Sequence, residues 1–569
     1  MWLSKATSWL SRVVEPVSRV LHYVGVGILA IMMFLTAADV ALRYCFNRPI
    51  MGSYELTGFM MALLISFGLA YCGVNKGHVV VDLVISRFPQ RTQAIIGSIT
   101  CLFSLILLSL ITWQCAIYVK LQFYSNYSST VLLIPFFPFV GAVAFGIGVL
   151  FILLFSGMPI GLVMAFVGFA GYAYVTGFGP ALGVLRTVPF STFADYGLSV
   201  IPLFVLMGTF AFYAGLSQDL YSTARSWLGR LRGGLAMSTV GACAAFAAVS
   251  GSSLATAATM GKVALPEMKR YKYSDALATG TIAAGGTIGI LIPPSVILII
   301  YGVLTEQSIG KLFAAGFIPG VLEAVFYMVT IFILTTRDPL MGPPGPVTSF
   351  REKVTSLKGS WGVLAIFVLV IGGIYLGVFS PTEAAGVGAF GTFAFGLARR
   401  KLGWQAFKES LTDAGKTAAM IFVIILGANI FGYFLAVTGV PSSIATFMAG
   451  LPVSRYFILA GILIIYVLLG CVMDSMAMIL ITVPIFFPLI MQLGFNPIWF
   501  GILIVRVCEI GLITPPVGLN VYIIKGIAKD IPMGTIFRGI VPFLIAELCH
   551  VAMLVAIPQV VLLLPSLMK

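Results

Sequence analysis

Two hydroxyl-rich stretches and two Pro-Pro breaks hold most of the residues here that could grip an ion or a small anion. The run Ser250-Gly251-Ser252-Ser253-Leu254-Ala255-Thr256 sets hydroxyls beside small residues. Unwound carbonyls and hydroxyls are the hard oxygen donors that a sodium ion takes without needing a full negative charge. The stretch Gly470-Cys471-Val472-Met473-Asp474-Ser475 places a carboxylate inside an otherwise apolar run. An ionisable residue there costs a few kcal/mol and is by default a functional candidate. It would serve a bound cation, carry a proton, or be sealed by neighbouring backbone amides. The serines and threonines have a plainer use as well, since small hydroxyl residues cement close helix packing.

The breaks read Gly289-Ile290-Leu291-Ile292-Pro293-Pro294-Ser295 and Gly511-Leu512-Ile513-Thr514-Pro515-Pro516. Gly289 and Gly511, Pro293 and Pro515, Pro294 and Pro516, Ser253 and Ser475, and Pro266 and Pro488 all stand at one constant separation. A Pro-Pro pair removes two backbone donors and stops a helix. In hydrocarbon the freed carbonyls need partners, so such breaks survive only inside protein or beside a cavity. Matching breaks in two halves of an apolar chain are the best sequence pointer to the central site of a secondary transporter. Helix C-termini before the breaks suit cations, and N-termini beyond them suit anions.

Arg506 and Glu509, three apart, share a helix face. Arg506 is either a fork for a carboxylate or sulfonate, or half of a structural pair with Glu509. Glu383 and Asn429 are weaker candidates at the ends of apolar spans. Asp39, Arg43 and Glu55 are expected to hold the first part of the chain against the rest. There is no G-x-x-x-x-G-K-[ST] phosphate loop, and His22, His78 and His550 neighbour no Cys or carboxylate cluster. An enzyme is not expected.

These groups must be carried by membrane helices. The chain has 569 residues, 60% hydrophobic and only 9% charged, against roughly a quarter charged in soluble proteins. The net charge of +14 is not read as a nucleic-acid signal, because Lys and Arg gather in alternate loops: Lys5, Arg12 and Arg19; Lys76, Arg87 and Arg91; Arg225, Arg230 and Arg232; Arg399, Arg400 and Lys401. That pattern places the N-terminus in the cytoplasm, with anionic headgroups as partners of the basic excess. The amphipathic start, to about Leu21, is expected along the cytoplasmic interface. The eight cysteines show no metal spacing, and those within apolar spans act as small hydrophobes.

Four spans are expected first, near 24–42, 55–73, 94–118 and 131–155. From Gly157 onward glycine thickens and spans shorten. Residues 1–155 read as a small helical bundle and 156–569 as a transport body, itself divided by a Pro/Gly-rich cytoplasmic loop at 338–360. Each side of that loop holds an interrupted hairpin and a broken helix, about 235–303 and 455–525. The repeats are set at about 198–335 and 415–565, inverted if an odd number of spans separates them.

The residues from Gly251 through Pro266, Tyr273-Ser274, Gly285 to Gly289 and Pro293-Pro294-Ser295 resemble the large membrane subunit of tripartite ATP-independent periplasmic (TRAP) transporters. Asp474 through Pro484 to Thr514-Pro515-Pro516-Val517-Gly518 resembles that subunit's second half. Arg43-Tyr44, Pro49, Glu55, Gly77-His78 and Asp82 match the small subunit's signature, so both subunits stand here in one polypeptide. The resemblance implies an all-α polytopic membrane protein, a four-helix-type bundle fused to an elevator-type transporter. It implies Na⁺-coupled import of a small organic anion, a carboxylate or sulfonate, across a bacterial inner membrane. A periplasmic substrate-binding protein would deliver the anion. The alternative is a stand-alone Na⁺/dicarboxylate elevator, for which the four-helix appendage has no use. By matching motif, Na⁺ is expected at Ser252, Ser253, Gly289, Ile292 and Pro293, and at Asp474, Gly511 and Thr514. Substrate contacts are expected at Thr256, Ser295, Asn429, Ser475, Arg506, Pro516 and Asn520.

Overall fold

The structure, a computed structural model, describes residues 2–75, 77, 89–125, 128, 131, 159–471, 473–516 and 518–568, with backbone alone at 2–14, 96 and 101. The expected span through 132–155, the 155/156 boundary, Gly157, and Lys76, His78, Asp82, Arg87 and Val517 lie outside the described residues.

Among the described residues the chain is helical and holds no strand. In chain order the helices are α1 (Trp2–Phe46), α2 (Ser53–Val74), α3 (Gln90–Ser125), α4 (Ile160–Thr176), α5 (Phe178–Phe193), α6 (Val200–Tyr213), α7 (Leu216–Leu228) and α8 (Gly234–Ser250). There follow α9 (Ser253–Arg270), α10 (Asp275–Thr287), α11 (Val296–Thr305), α12 (Ile309–Arg337), α13 (Phe350–Tyr375), α14 (Pro381–Ala398) and α15 (Trp404–Thr438). The last are α16 (Val440–Ala449), α17 (Arg455–Gly470), α18 (Ser475–Gln492), α19 (Pro497–Ile513), α20 (Leu519–Ile527), α21 (Met533–Ala556) and α22 (Gln559–Leu567). Nine helical segments among the described residues are long and apolar enough to cross a bilayer.

Contacts divide the chain into two compact units, one of Met1–Leu206 with Phe407–Ser443 and one of Met207–Ala406 with Ile444–Lys569. In the first unit the amphipathic start runs directly into the first span. It forms the opening turns of α1, which runs unbroken through Phe46. Asp39 pairs with Arg43 at 2.5 Å and accepts the Ile50 amide at 2.7 Å, while Glu55 accepts the Val131 amide at 2.8 Å. These side chains thus fasten the ends and loops of their own bundle. Backbones meet where Gly161 of α4 crosses Gly427 of α15: a Cβ on Gly427 would run into the Gly161 carbonyl. Small residues at such crossings replace the hydrophobic drive that lipid removes.

In the second unit, α8 and α9 form one hairpin, and α10 with α11 the first broken helix; α17, α18, α19 and α20 repeat the order. The halves join where Gly280 of α10 crosses Gly539 of α21 so closely that neither admits a Cβ. Tyr301 of α11 adds a bond to the Pro497 carbonyl at 2.6 Å. The Pro/Gly-rich loop is shorter than the sequence indicated. It ends at Ser349, whose hydroxyl and Glu352 form a capping box, so Arg351, Lys353 and Lys358 stand on α13. The reciprocal amide bonds of that motif are strong enough to start a helix inside a charged stretch.

Candidate functional site

Each hairpin tip is a helix N-terminus fixed by a side chain. Ser252 caps α9, its hydroxyl accepting the Ala255 amide. Asp474 caps α18, accepting the Met476 amide at 3.1 Å. The two caps stand at the same separation as the two breaks, so serine and aspartate do one structural job in the two halves. An N-cap oxygen is worth about 1 kcal/mol to a helix.

The tips sit on the breaks. At the first, Gly251 turns the chain in the left-handed region (φ +59), and a Cβ there would stand 2.5 Å from the Pro294 carbonyl oxygen. A Cβ on Gly289 would lie 3.2 Å from both the Ser252 carbonyl oxygen and the Thr256 hydroxyl. Thr256 donates to that same carbonyl at 2.8 Å and lies 3.0 Å from the Ser250 hydroxyl. Ser252, Thr256 and Gly289 are thereby brought to one spot, with Ser253 buried behind them. At the second tip, Gly470 and Gly511 touch backbone to backbone. Ser475 donates to Glu509 at 2.9 Å.

Both diprolines carry a cis bond, Pro293-Pro294 and Pro515-Pro516. The breaks differ in cover. Ile292, Pro293, Pro294 and Ser295 are buried, whereas Pro515 and Pro516 are exposed and Thr514 and Asp474 half-buried. The first is sealed by a glycine face of α12: Gly316 abuts the Leu291 carbonyl, and a Cβ on Gly320 would stand 2.6 Å from the Ile292 side chain. At the same separation the second half has Arg538 and Pro542, which offer no such face. Thr514 turns its hydroxyl back to the Ile510 carbonyl at 2.5 Å, and Ser295 caps α11 by accepting the Leu298 amide at 3.3 Å. Asn520, fully buried near the start of α20, donates to the Ala283 carbonyl at 3.3 Å and leaves its Oδ1 without a donor.

Asn429 and Arg506, also expected at the substrate, each have partners of their own. Asn429 belongs to the first unit, where it donates to Thr192 at 2.9 Å. Arg506 is entirely buried and held by carboxylates from two other helices, Glu323 of α12 at 2.8 Å and Glu547 of α21. It also donates to Tyr327 at 3.2 Å, and Thr287 bridges Tyr327 at 3.0 Å and Glu323 at 3.1 Å. The guanidinium is therefore a tie between helices, and Glu509, its expected partner by spacing, faces Ser475. Glu383 closes a capping box with Ser380. Sequence reasoning missed Glu323 and Glu547, although each is a lone carboxylate in a long apolar run, the signal that singled out Asp474.

Residues 147–560 match the family profile "Tripartite ATP-independent periplasmic transporter, DctM component", and residues 32–163 match the DctQ component of the same system. The chain belongs to the tripartite ATP-independent periplasmic (TRAP) transporters. The two matches meet in the stretch 147–163, so both membrane components of a TRAP system lie on this polypeptide. The C4-dicarboxylate TRAP transporter large permease protein DctM of Pseudomonas aeruginosa is 40% identical, over 66% of this chain and 88% of its own length. The isethionate TRAP transporter permease protein DctMQ of Oleidesulfovibrio alaskensis is 30% identical over 88% and 87%. The sialic acid TRAP transporter large permease protein SiaM of Vibrio cholerae is 33% identical over 73% and 96%. This TRAP protein is a multi-pass membrane permease, a transporter and not an enzyme.

Proposed function

We propose that this permease imports a small organic anion, a carboxylate or sulfonate, together with Na⁺, the anion being delivered by a periplasmic substrate-binding protein. The observation that carries the reading is a hydroxyl- or carboxylate-capped tip and a Pro-Pro break at one separation in both halves, with Gly251 against Pro294 in the first and Gly470 against Gly511 in the second. The donors there fit a hard monovalent cation. Ser252, Ser253 and the Gly289–Pro293 backbone offer neutral oxygens, and Asp474, Gly511 and Thr514 offer carbonyls, a hydroxyl and one carboxylate. Thr256, Ser295, Ser475, Pro516 and Asn520 lie at helix starts beyond tips and breaks, where free amides favour an anion. Relatives named for dicarboxylate, isethionate and sialic acid all handle organic anions, which supports the charge class. The hairpins and broken helices would move together as an elevator. The chain would lie in a bacterial inner membrane with its N-terminus in the cytoplasm, as its loop charges direct.

The test is uptake into proteoliposomes, using a panel of dicarboxylates and sulfonates with the cognate binding protein. Uptake is expected only with an inward Na⁺ gradient and with the binding protein present. Undiminished uptake without that protein would favour a stand-alone carrier, and uptake indifferent to Na⁺ would remove the coupling.

A further inference from the structure

We propose that the cytoplasmic ends of α13 and α14 form a specific site for an anionic phospholipid. An open groove of about 610 Å³ runs between them, floored by Gly362, Ala365, Gly391 and Ala394, with Lys358 and Arg399 at its mouth. The floor is smooth because Gly362 lies directly under the ring of Phe395, where no side chain fits. Such a trough suits an acyl chain.

The mouth carries surplus positive charge. Arg399 and Lys401 both bind the single carboxylate of Asp219 on α7. Lys358 is exposed and makes no ion pair among the described residues. Trp361 on the groove wall is 59% exposed, and Trp227, 44% exposed, donates to the carbonyl of Lys353 on α13 at 3.2 Å. Exposed indoles with flanking lysines and arginines sit at the headgroup level of a bilayer. The Arg399-Arg400-Lys401 cluster puts that level on the cytoplasmic side. A basic mouth above an apolar trough at this depth matches a headgroup phosphate with its chain running inward. Arg399 stays tethered by Asp219 and by the Gly359 carbonyl at 3.1 Å, so the cationic wall is in place before the lipid arrives.

The experiment is native mass spectrometry of the full-length protein in detergent, titrated with phosphatidylglycerol and with phosphatidylcholine of the same chains. Tightest binding is expected for phosphatidylglycerol. Lys358→Ala should weaken it about fivefold, the effect of one basic side chain near an anionic surface, and leave phosphatidylcholine unchanged. Gly391→Leu should abolish it by filling the trough, since a Cβ there meets only the Ile366 side chain at 3.7 Å. Lys358 lies on an exposed helix face, so that variant keeps the test decisive should the leucine disturb folding. Equal affinity for the two lipids, an unaltered Lys358→Ala profile, or displacement of the lipid by inorganic phosphate would each overturn the assignment.

Discussion

Gly470 and Gly511 meet with no side chain between them: a Cβ on Gly511 would run into the Gly470 Cα, and one on Gly470 would stand 3.0 Å from the Gly511 Cα. This contact joins the second hairpin tip to the helix that breaks just beyond it. Of the groups proposed to hold an ion, Asp474 follows Gly470 on the tip and the Gly511 carbonyl and Thr514 lie on the break, so the fit of two glycines sets how near they come.

Gly511→Ala should therefore damage the site without removing any ligand. Overpacking a tight crossing costs about 1–3 kcal/mol, and here it would separate tip from break. A lower unfolding temperature and a weakened Na⁺ dependence of uptake are expected. Gly372→Ala on α13, where a Cβ meets nothing within 4 Å, is the control and should leave both readouts near wild type.

Asp474→Asn separates charge from capping. Asparagine is as good an N-cap as aspartate, so the helix start and the folded yield should survive. If the carboxylate is what holds the cation, Na⁺-stimulated uptake should be lost. Asp474→Ala should lose the cap as well and unfold earlier by about 1 kcal/mol. Ordinary sodium dependence in the asparagine variant would confine Asp474 to capping.

Arg506→Ala should fail in folding before it fails in transport. It leaves Glu323 and Glu547 buried without their cation, and breaking a buried ion pair from one side costs about 3–5 kcal/mol. Little monodisperse protein is expected on size exclusion in detergent. A well-folded variant whose only defect is a higher substrate requirement would instead return Arg506 to the substrate site.

The sequence by itself determined the membrane class, the paired breaks and the hydroxyl- and carboxylate-bearing stretches beside them, because these rest on chain-local physics: hydropathy, proline's missing donor and the spacing of small residues. It also carried enough specific motif to point to the family. The tertiary structure decided which side chains meet. Arg506 and Glu509 share a helix face, yet Arg506 turns to Glu323 and Glu547 and Glu509 to Ser475, since in a low-dielectric interior a charge goes to whatever partner another helix presents. The unequal cover of the breaks was settled the same way. It depends on Gly316 and Gly320 lying across Ile292 and Leu291, a contact between α12 and the first break that has no trace in the break's own sequence.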